Sequence, residues 1–209
     1  MWNREYSLLL IVLLTGGWLV HRMHSGYQKS LPENESFVRL QIYQQPDTIS
    51  NLYAAREVLE PTKTLRVNSV DFLEKHQLVH RDLGYLGVSG SFFIDLYAEC
   101  SVSKSGLFSF SVSSDDGFAL VIDDQIVMEF PGDRPYAETR GEFYLKKGTH
   151  SIVIHYFQGG GPMGLKASYQ LSGATDVYLI GESSDVMIFK PVSPEPLLTE
   201  VLAEPEGSE

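Results

Sequence analysis

The 209-residue chain has a single cysteine, Cys100. That excludes an intramolecular disulfide framework and any multi-cysteine zinc site, and a lone thiol of this kind reads as a small buried hydrophobe. Basic residues are also scarce: 16 Lys and Arg stand against 27 Asp and Glu, a formal net charge of -11. With no basic cluster to contact phosphate backbones, the composition argues against nucleic acid as a partner. Catalytic signatures are missing too. There is no nucleophile elbow, zinc-binding helix motif or phosphate loop, so the chain reads as a non-enzyme.

Long apolar runs are limited to Tyr6 to Val20, flanked by Arg4 and Glu5 before it and by His21, Arg22, His24 and Lys29 after it. The run is short for a membrane span of about 20 residues and suits a signal-peptide core by length. No small-residue cleavage site precedes Ser25 or Gly26. Residues 1–30 are therefore expected to form an uncleaved single-pass anchor, one N-terminal transmembrane helix extended by Trp2 and by snorkelling of Arg4 and Arg22. The rest of the chain is then expected outside the cytoplasm, periplasmic or extracellular, although the balance of Arg4 and Glu5 against Arg22 and Lys29 leaves orientation open under the positive-inside rule. At the other end, residues 191–209 hold Pro191, Pro194, Pro196 and Pro205 with five glutamates and no basic residue. Such a composition is expected to stay disordered.

Residues 31–190 read as one all-β domain. Phe37 to Tyr43, Phe92 to Tyr97, Leu107 to Val112, Ala119 to Ile122, Ile126 to Phe130, Glu142 to Leu145, His150 to Phe157, Leu165 to Leu171, Val177 to Ile180 and Val186 to Phe189 are short β-like runs separated by turn residues. This spacing predicts an antiparallel β-sandwich or barrel. Ser50 to Leu59 and Ser69 to His76 have helical composition, which places short helices or ordered loops over one end.

Two acidic pairs stand out, Asp115-Asp116 before Gly117 and Asp123-Asp124. Adjacent carboxylates repel unless a cation or hydrogen bonds compensate them, so each pair is a hard-cation site or a tight turn. Asp123-Asp124 sits between two short strands and reads as a turn. A pair so close in sequence cannot flank a glycosidic bond from opposite sides.

The order Gly106-Leu107-Phe108-Ser109-Phe110, then Ser114-Asp115-Asp116-Gly117-Phe118-Ala119-Leu120-Val121-Ile122-Asp123, then Lys147-Gly148-Thr149-His150, then Gly164-Leu165-Lys166-Ala167 closely resembles the PA14 domain family. The resemblance covers about Leu40 to Gln170 and implies a PA14-like β-sandwich. In the lectin branch of that family an Asp-Asp pair at this position holds a calcium ion, often across a cis peptide, and the ion binds vicinal hydroxyls of a sugar. The resemblance thus implies Asp115 and Asp116 as calcium ligands. Calcium takes six to eight oxygens, and the loop Phe157 to Gly164 resembles the Gln-Gly-rich calcium loop of some bacterial sugar-binding members. It adds the Gln158 amide oxygen as a ligand, with Gly159 and Gly160 beside the sugar, while Asp115 also touches it. Arg134, Tyr136 and Arg140 are candidates for shaping ligand choice, and Tyr85 reads equally as a further contact or as a packed loop aromatic. Asp115 could instead accept backbone hydrogen bonds and pin its loop.

Four histidines, His76, His80, His150 and His155, raise the question of a metal, but His150 and His155 point to opposite strand faces and read as satisfied side chains. Asn34-Glu35-Ser36 matches a glycosylation sequon. Two functional readings follow. One is a membrane-anchored, calcium-dependent carbohydrate-binding module. The other is a scaffold or accessory subunit of a membrane complex, whose sandwich docks a protein partner.

Overall fold

Alternation of apolar and polar residues sorts the strands into an inner and an outer face. Phe92, Ile94, Leu96, Ala98, Cys100 and Val102 all point inward from one strand, and Phe108, Phe110 and Val112 do so from the next, every one of them buried. Beside the first strand in its sheet lie Ile152, Ile154 and Tyr156, beside the second lie Leu165, Ala167 and Tyr169, and all of them join one core. Cys100 is a buried hydrophobe, as its sequence context predicts, and burial pushes its thiol up to about 12. The computed structural model describes residues 35–192. The expected anchor and nearly all of the acidic tail lie outside them, and among the described residues no helix is long and apolar enough to cross a membrane.

The strands are β1 (Val38–Gln44), β2 (Lys63–Val67), β3 (Asp71–Lys75), β4 (Val79–His80), β5 (Gly84–Tyr85), β6 (Phe92–Val102), β7 (Gly106–Asp115), β8 (Phe118–Ile122), β9 (Gln125–Phe130), β10 (Ala137–Leu145), β11 (Gly148–Gln158), β12 (Met163–Leu171), β13 (Tyr178–Leu179) and β14 (Met187–Phe189). They build two seven-stranded antiparallel sheets packed face to face. The first runs β2-β1-β6-β11-β8-β9 with β14 on β6, and the second runs β10-β7-β12-β3-β4-β5 with β13 on β12.

Of the two expectations for Ser50 to Leu59 and Ser69 to His76, short helices or ordered loops, helices are absent from the described residues. Residues 50–59 form an irregular loop, and most of Ser69 to His76 is strand β3. Leu73, Glu74 and Lys75 are good helix formers, but propensity differences amount to less than about 1 kcal/mol per residue. Burying Val70 and Phe72 is worth about 1.5–3 kcal/mol each, and the extended form allows Phe72 to pair with Leu165 and the Val70 carbonyl to accept from Ala167. Tertiary packing therefore decides the segment.

Asp123 and Asp124 close the β8–β9 hairpin with φ of 49° and 63°, the turn geometry that demands left-handed backbone at both central residues. Asp123 has a second task. Its carboxylate accepts the Ser151 amide at 3.0 Å and lies 2.6 Å from His150 Nδ1, whose Nε2 faces the Lys146 carbonyl at 2.7 Å. Burial draws the His150 pKa down, but these two acceptors outweigh it and the net direction is upward.

The topology fixes where function can sit. The chain crosses from second sheet to first between β7 and β8, and from first to second between β9 and β10 and between β11 and β12. Because β7 lies beside β12 and β10, and β8 beside β11 and β9, these three crossings meet at one end of the sandwich. The described chain ends leave elsewhere. Ser36, whose carbonyl accepts the Val192 amide, extends β1 toward the Cys100 end of β6, roughly seven residues or about 23 Å from the crossings.

Candidate functional site

Asp115 and Asp116 occupy the first crossing, joined by a cis peptide bond. Gly117 follows because nothing larger fits: a Cβ there would lie 2.5 Å from the Phe130 carbonyl and the Phe157 ring and 2.8 Å from the Gly132 carbonyl. The glycine lets the acidic pair sink between the other two crossings. Both aspartates are 7% exposed.

The third crossing is tied to the pair by backbone. Gly159 donates its N–H to Asp116 Oδ2 at 2.8 Å, and its own carbonyl accepts the Ser91 hydroxyl at 2.8 Å. A Cβ at Gly159 would meet the Ile49 carbonyl oxygen at 2.1 Å, so the loop between β1 and β2 presses on the site from outside. Gly160 and Gly161 have nothing within 4 Å of a would-be Cβ, leaving open space above the loop.

Gln158 is fully buried. Its Oε1 lies 2.6 Å from the Tyr156 hydroxyl, and its Nε2 donates to the carbonyls of Gly160 and Pro162 at 2.8 and 2.9 Å. The side chain braces the glycine loop from inside. The Tyr156 hydroxyl also contacts the Asp115 carbonyl, so one buried tyrosine links the two crossings.

Arg134 and Tyr136 come from the second crossing. The Arg134 guanidinium lies over the Phe118 and Phe130 rings, 5.2 and 4.7 Å from their centroids, and donates to Ser114 Oγ and Thr139 Oγ1, both at 2.8 Å. Ser114 in turn donates to the Asp116 carbonyl at 2.6 Å. Tyr136 packs its ring against Gly164, where a Cβ would come within 2.9 Å of it, and is hydrogen-bonded to Ser113. Both side chains hold the pair in place from its flank. Arg140, on β10, pairs with Glu138 at 2.8 Å, and Tyr85 is exposed on the outer strand β5.

Electrostatics at the pair are unfavourable for two anions. Burial, then Asp116 and Glu74, push Asp115 up to about 6, against the Tyr136 backbone N–H and Arg134, which act the other way. Asp116 is also raised, by burial and Asp133, against N–H bonds from Gly159 and Arg134. The charge is thus only partly compensated, and a cation would relieve it. Among the described residues no three His, Cys, Asp or Glu side chains come together in metal-binding geometry. An ion here would draw its remaining oxygens from carbonyls, each of which keeps a second lone pair after one hydrogen bond.

Sequence reasoning missed Tyr156, Ser114, Ser91 and Ile49. Tyr156 did carry a signal: alternation along β11 turns it inward beside Ile152 and Ile154, and a buried tyrosine hydroxyl needs a partner.

A family model, the PA14 domain, matches residues 38–180. The chain belongs to the PA14 domain family. Solved structures share the fold at low identity. The PA14 domain of the antifreeze protein MpAFP superimposes with a TM-score of 0.59 at 14% identity, over 69% of this chain and 86% of that one. The PA14 sugar-binding domain from an RTX adhesin gives 0.58 at 21% identity, over 68% and 94%. The A domain of epithelial adhesin 9 from Candida glabrata, in complex with Galb1-3GlcNAc, gives 0.54 at 10% identity, over 78% and 94%. No curated protein matches the chain.

Proposed function

We propose that this PA14 domain is a calcium-dependent carbohydrate-binding module, held at a membrane by residues 1–30 and displayed outside the cytoplasm. The observation that carries the reading is the buried Asp115-Asp116 pair, left short of compensation and set against the Gly159–Pro162 loop. The donor set fits a hard cation: two carboxylates and carbonyl oxygens, with neither sulfur nor imidazole among them. Asp115 and Asp116 would hold the ion with backbone carbonyls of the 159–162 loop. Gln158 serves it chiefly by shaping that loop. Bound calcium would supply open coordination positions for two sugar hydroxyls, and the free space over Gly160 and Gly161 gives a sugar room to approach. Arg134 and Tyr136 fix the pair's orientation. Two of the similar folds are sugar-binding by their descriptions, which supports the class of ligand. An entry point for β1 about 23 Å from the pair is consistent with a site pointing away from an anchor.

One observation favours the second reading. Backbone N–H groups of Gly159, Tyr136 and Arg134 already bond the two carboxylates, so the pair could pin loops without an ion while the sandwich serves as a scaffold subunit in a membrane complex. A glycan array probed with the 209-residue chain at about 1 mM calcium, and again in EDTA, separates the two. Glycan capture that EDTA abolishes is expected. Calcium binding without glycan capture would favour the scaffold, and capture indifferent to EDTA would remove the ion from the recognition step.

A further inference from the structure

The outer face of the second sheet contains a hollow that the acidic pair does not use. Along β7 every second residue points outward, and three in succession are short hydroxyls: Ser109, Ser111 and Ser113. Ser168 lies beside Ser111 on β12, and Lys166 lies beside Ser113. On the other flank Glu138 stands opposite Ser113 on β10. Short side chains in the middle and long ones on the flanks leave a trough. After β12 the chain folds back as β13, placing Leu179 opposite Ser168 and Tyr178 opposite Tyr169, and this return walls the trough on one side. The result is a cavity of about 430 Å³ lined by Ser111, Ser113, Ser168, Glu138, Lys166 and Tyr178 among others, within the range of small-ligand pockets.

The lining has a definite chemistry. Glu138 is fixed as an anion: the Ser111 hydroxyl and then Arg140 hold its carboxyl below the usual range, and it remains an acceptor for hydroxyl donors. The serine hydroxyls donate and accept. The Lys166 side chain is exposed and, among the described residues, has neither a hydrogen-bond nor an ion-pair partner. Leu179 stands opposite Ser168 and so shares the outward face, and with Val177 it contributes an apolar wall. The Tyr178 ring stacks on Tyr169 toward the core, with centroids 5.7 Å apart. A ligand that satisfies all of these at once carries several hydroxyls, an apolar ring face and one negative charge. A dianionic phosphate fits poorly, because Glu138 faces Lys166 across Ser113 and opposes a second charge.

We propose that this hollow is a second carbohydrate site, specific for a carboxylated sugar of the uronic acid type. The sugar carboxylate pairs with Lys166, its hydroxyls bond Ser111, Ser113, Ser168 and Glu138, and its apolar ring face lies against Leu179 and Val177. No metal takes part, so the site stands whether or not the acidic pair binds calcium. Tyr136, bonded to Ser113 and packed on Gly164, marks the boundary between the two.

The test is titration of trigalacturonate into the isotopically labelled 209-residue chain in EDTA, followed by amide chemical shifts, with neutral galactotriose and inorganic phosphate as parallel ligands. Saturable shifts centred on residues 111, 113, 166 and 168 are expected with trigalacturonate, weaker ones with galactotriose. Lys166→Glu, a change at a solvent-facing position, is expected to weaken trigalacturonate about tenfold or more, as loss of a charged contact does. Ser111→Leu fills the trough and is expected to abolish binding while the remaining spectrum shows an intact fold. No shifts in EDTA, shifts elsewhere on the domain, an unchanged affinity in Lys166→Glu, or phosphate matching trigalacturonate would each overturn the assignment.

Discussion

Replacing Arg56 with alanine is expected to destabilise the domain by about 3–5 kcal/mol, the range for stranding a buried partner charge. Asp95 sits in the middle of β6 and is completely buried. Two Arg56 nitrogens meet its two carboxylate oxygens at 2.7 and 2.8 Å, and His155 Nδ1 lies 2.6 Å from Oδ1. Burial alone would raise the carboxyl pKa, but Arg56 and His155 overcome it and hold the group below its usual value. The guanidinium also lies over Tyr43 and Phe93, 4.8 and 4.7 Å from the ring centroids, beside Ile49, Leu52 and Phe157 in a second apolar cluster on the outside of the first sheet. Arg56 therefore clamps the loop between β1 and β2 onto that sheet. Thermal melts should show a fall of roughly 6 to 20 °C for a domain of this size. The double change Arg56→Met with Asp95→Leu should recover much of it, since apolar replacements of a buried ion pair are often neutral. A loss below about 1 kcal/mol would mean that Asp95 is compensated without Arg56.

Gly159→Ala is the second large effect. The added methyl would meet the backbone oxygen of Ile49 at 2.1 Å, and a backbone atom in a loop clamped by Arg56 has little room to retreat. Overpacking of this kind costs about 1–3 kcal/mol, and the displaced loop would lose the N–H bond to Asp116. Both stability and calcium affinity should fall together. The paired readout is denaturant unfolding and a calcium titration on the same protein. A variant with wild-type stability would show that the loop between β1 and β2 yields freely and does not shape the site.

These two effects also mark where sequence reading reached and where it stopped. Alternation in β6, β7, β11 and β12 is strong enough to place the strands and the core, and the Asp-Asp-Gly sequence points to the crossing between β7 and β8. Gly159 was named as close to the site, but the reason for its small size, the carbonyl of Ile49, lies 110 positions away in sequence. The sequence offers the Gln158 amide oxygen as a ligand; its bonds to Tyr156, two residues earlier on the same strand, and to the carbonyls of Gly160 and Pro162 are visible only once the loop is placed. The Arg56–Asp95–His155 cluster joins residues 39 and 60 positions apart. A hint existed in Phe92-Phe93-Ile94-Asp95-Leu96, since a lone carboxylate in an apolar strand must find a partner, but nothing local identified Arg56. The segment that became β3 was misread because its composition suits a helix and its pairing with β12 is nonlocal.

We propose that Asp115 and Asp116 form a calcium site. Calorimetric titration of calcium into the 209-residue chain, wild type beside Asp116→Asn, tests it most directly. A saturable isotherm with a Kd of about 0.1–1 mM, typical of extracellular calcium modules, is expected for the wild type, with a matching rise in melting temperature, and neither response is expected in the variant. Absence of heat and of thermal stabilisation in the wild type at about 10 mM calcium, or equal binding by Asp116→Asn, would contradict it.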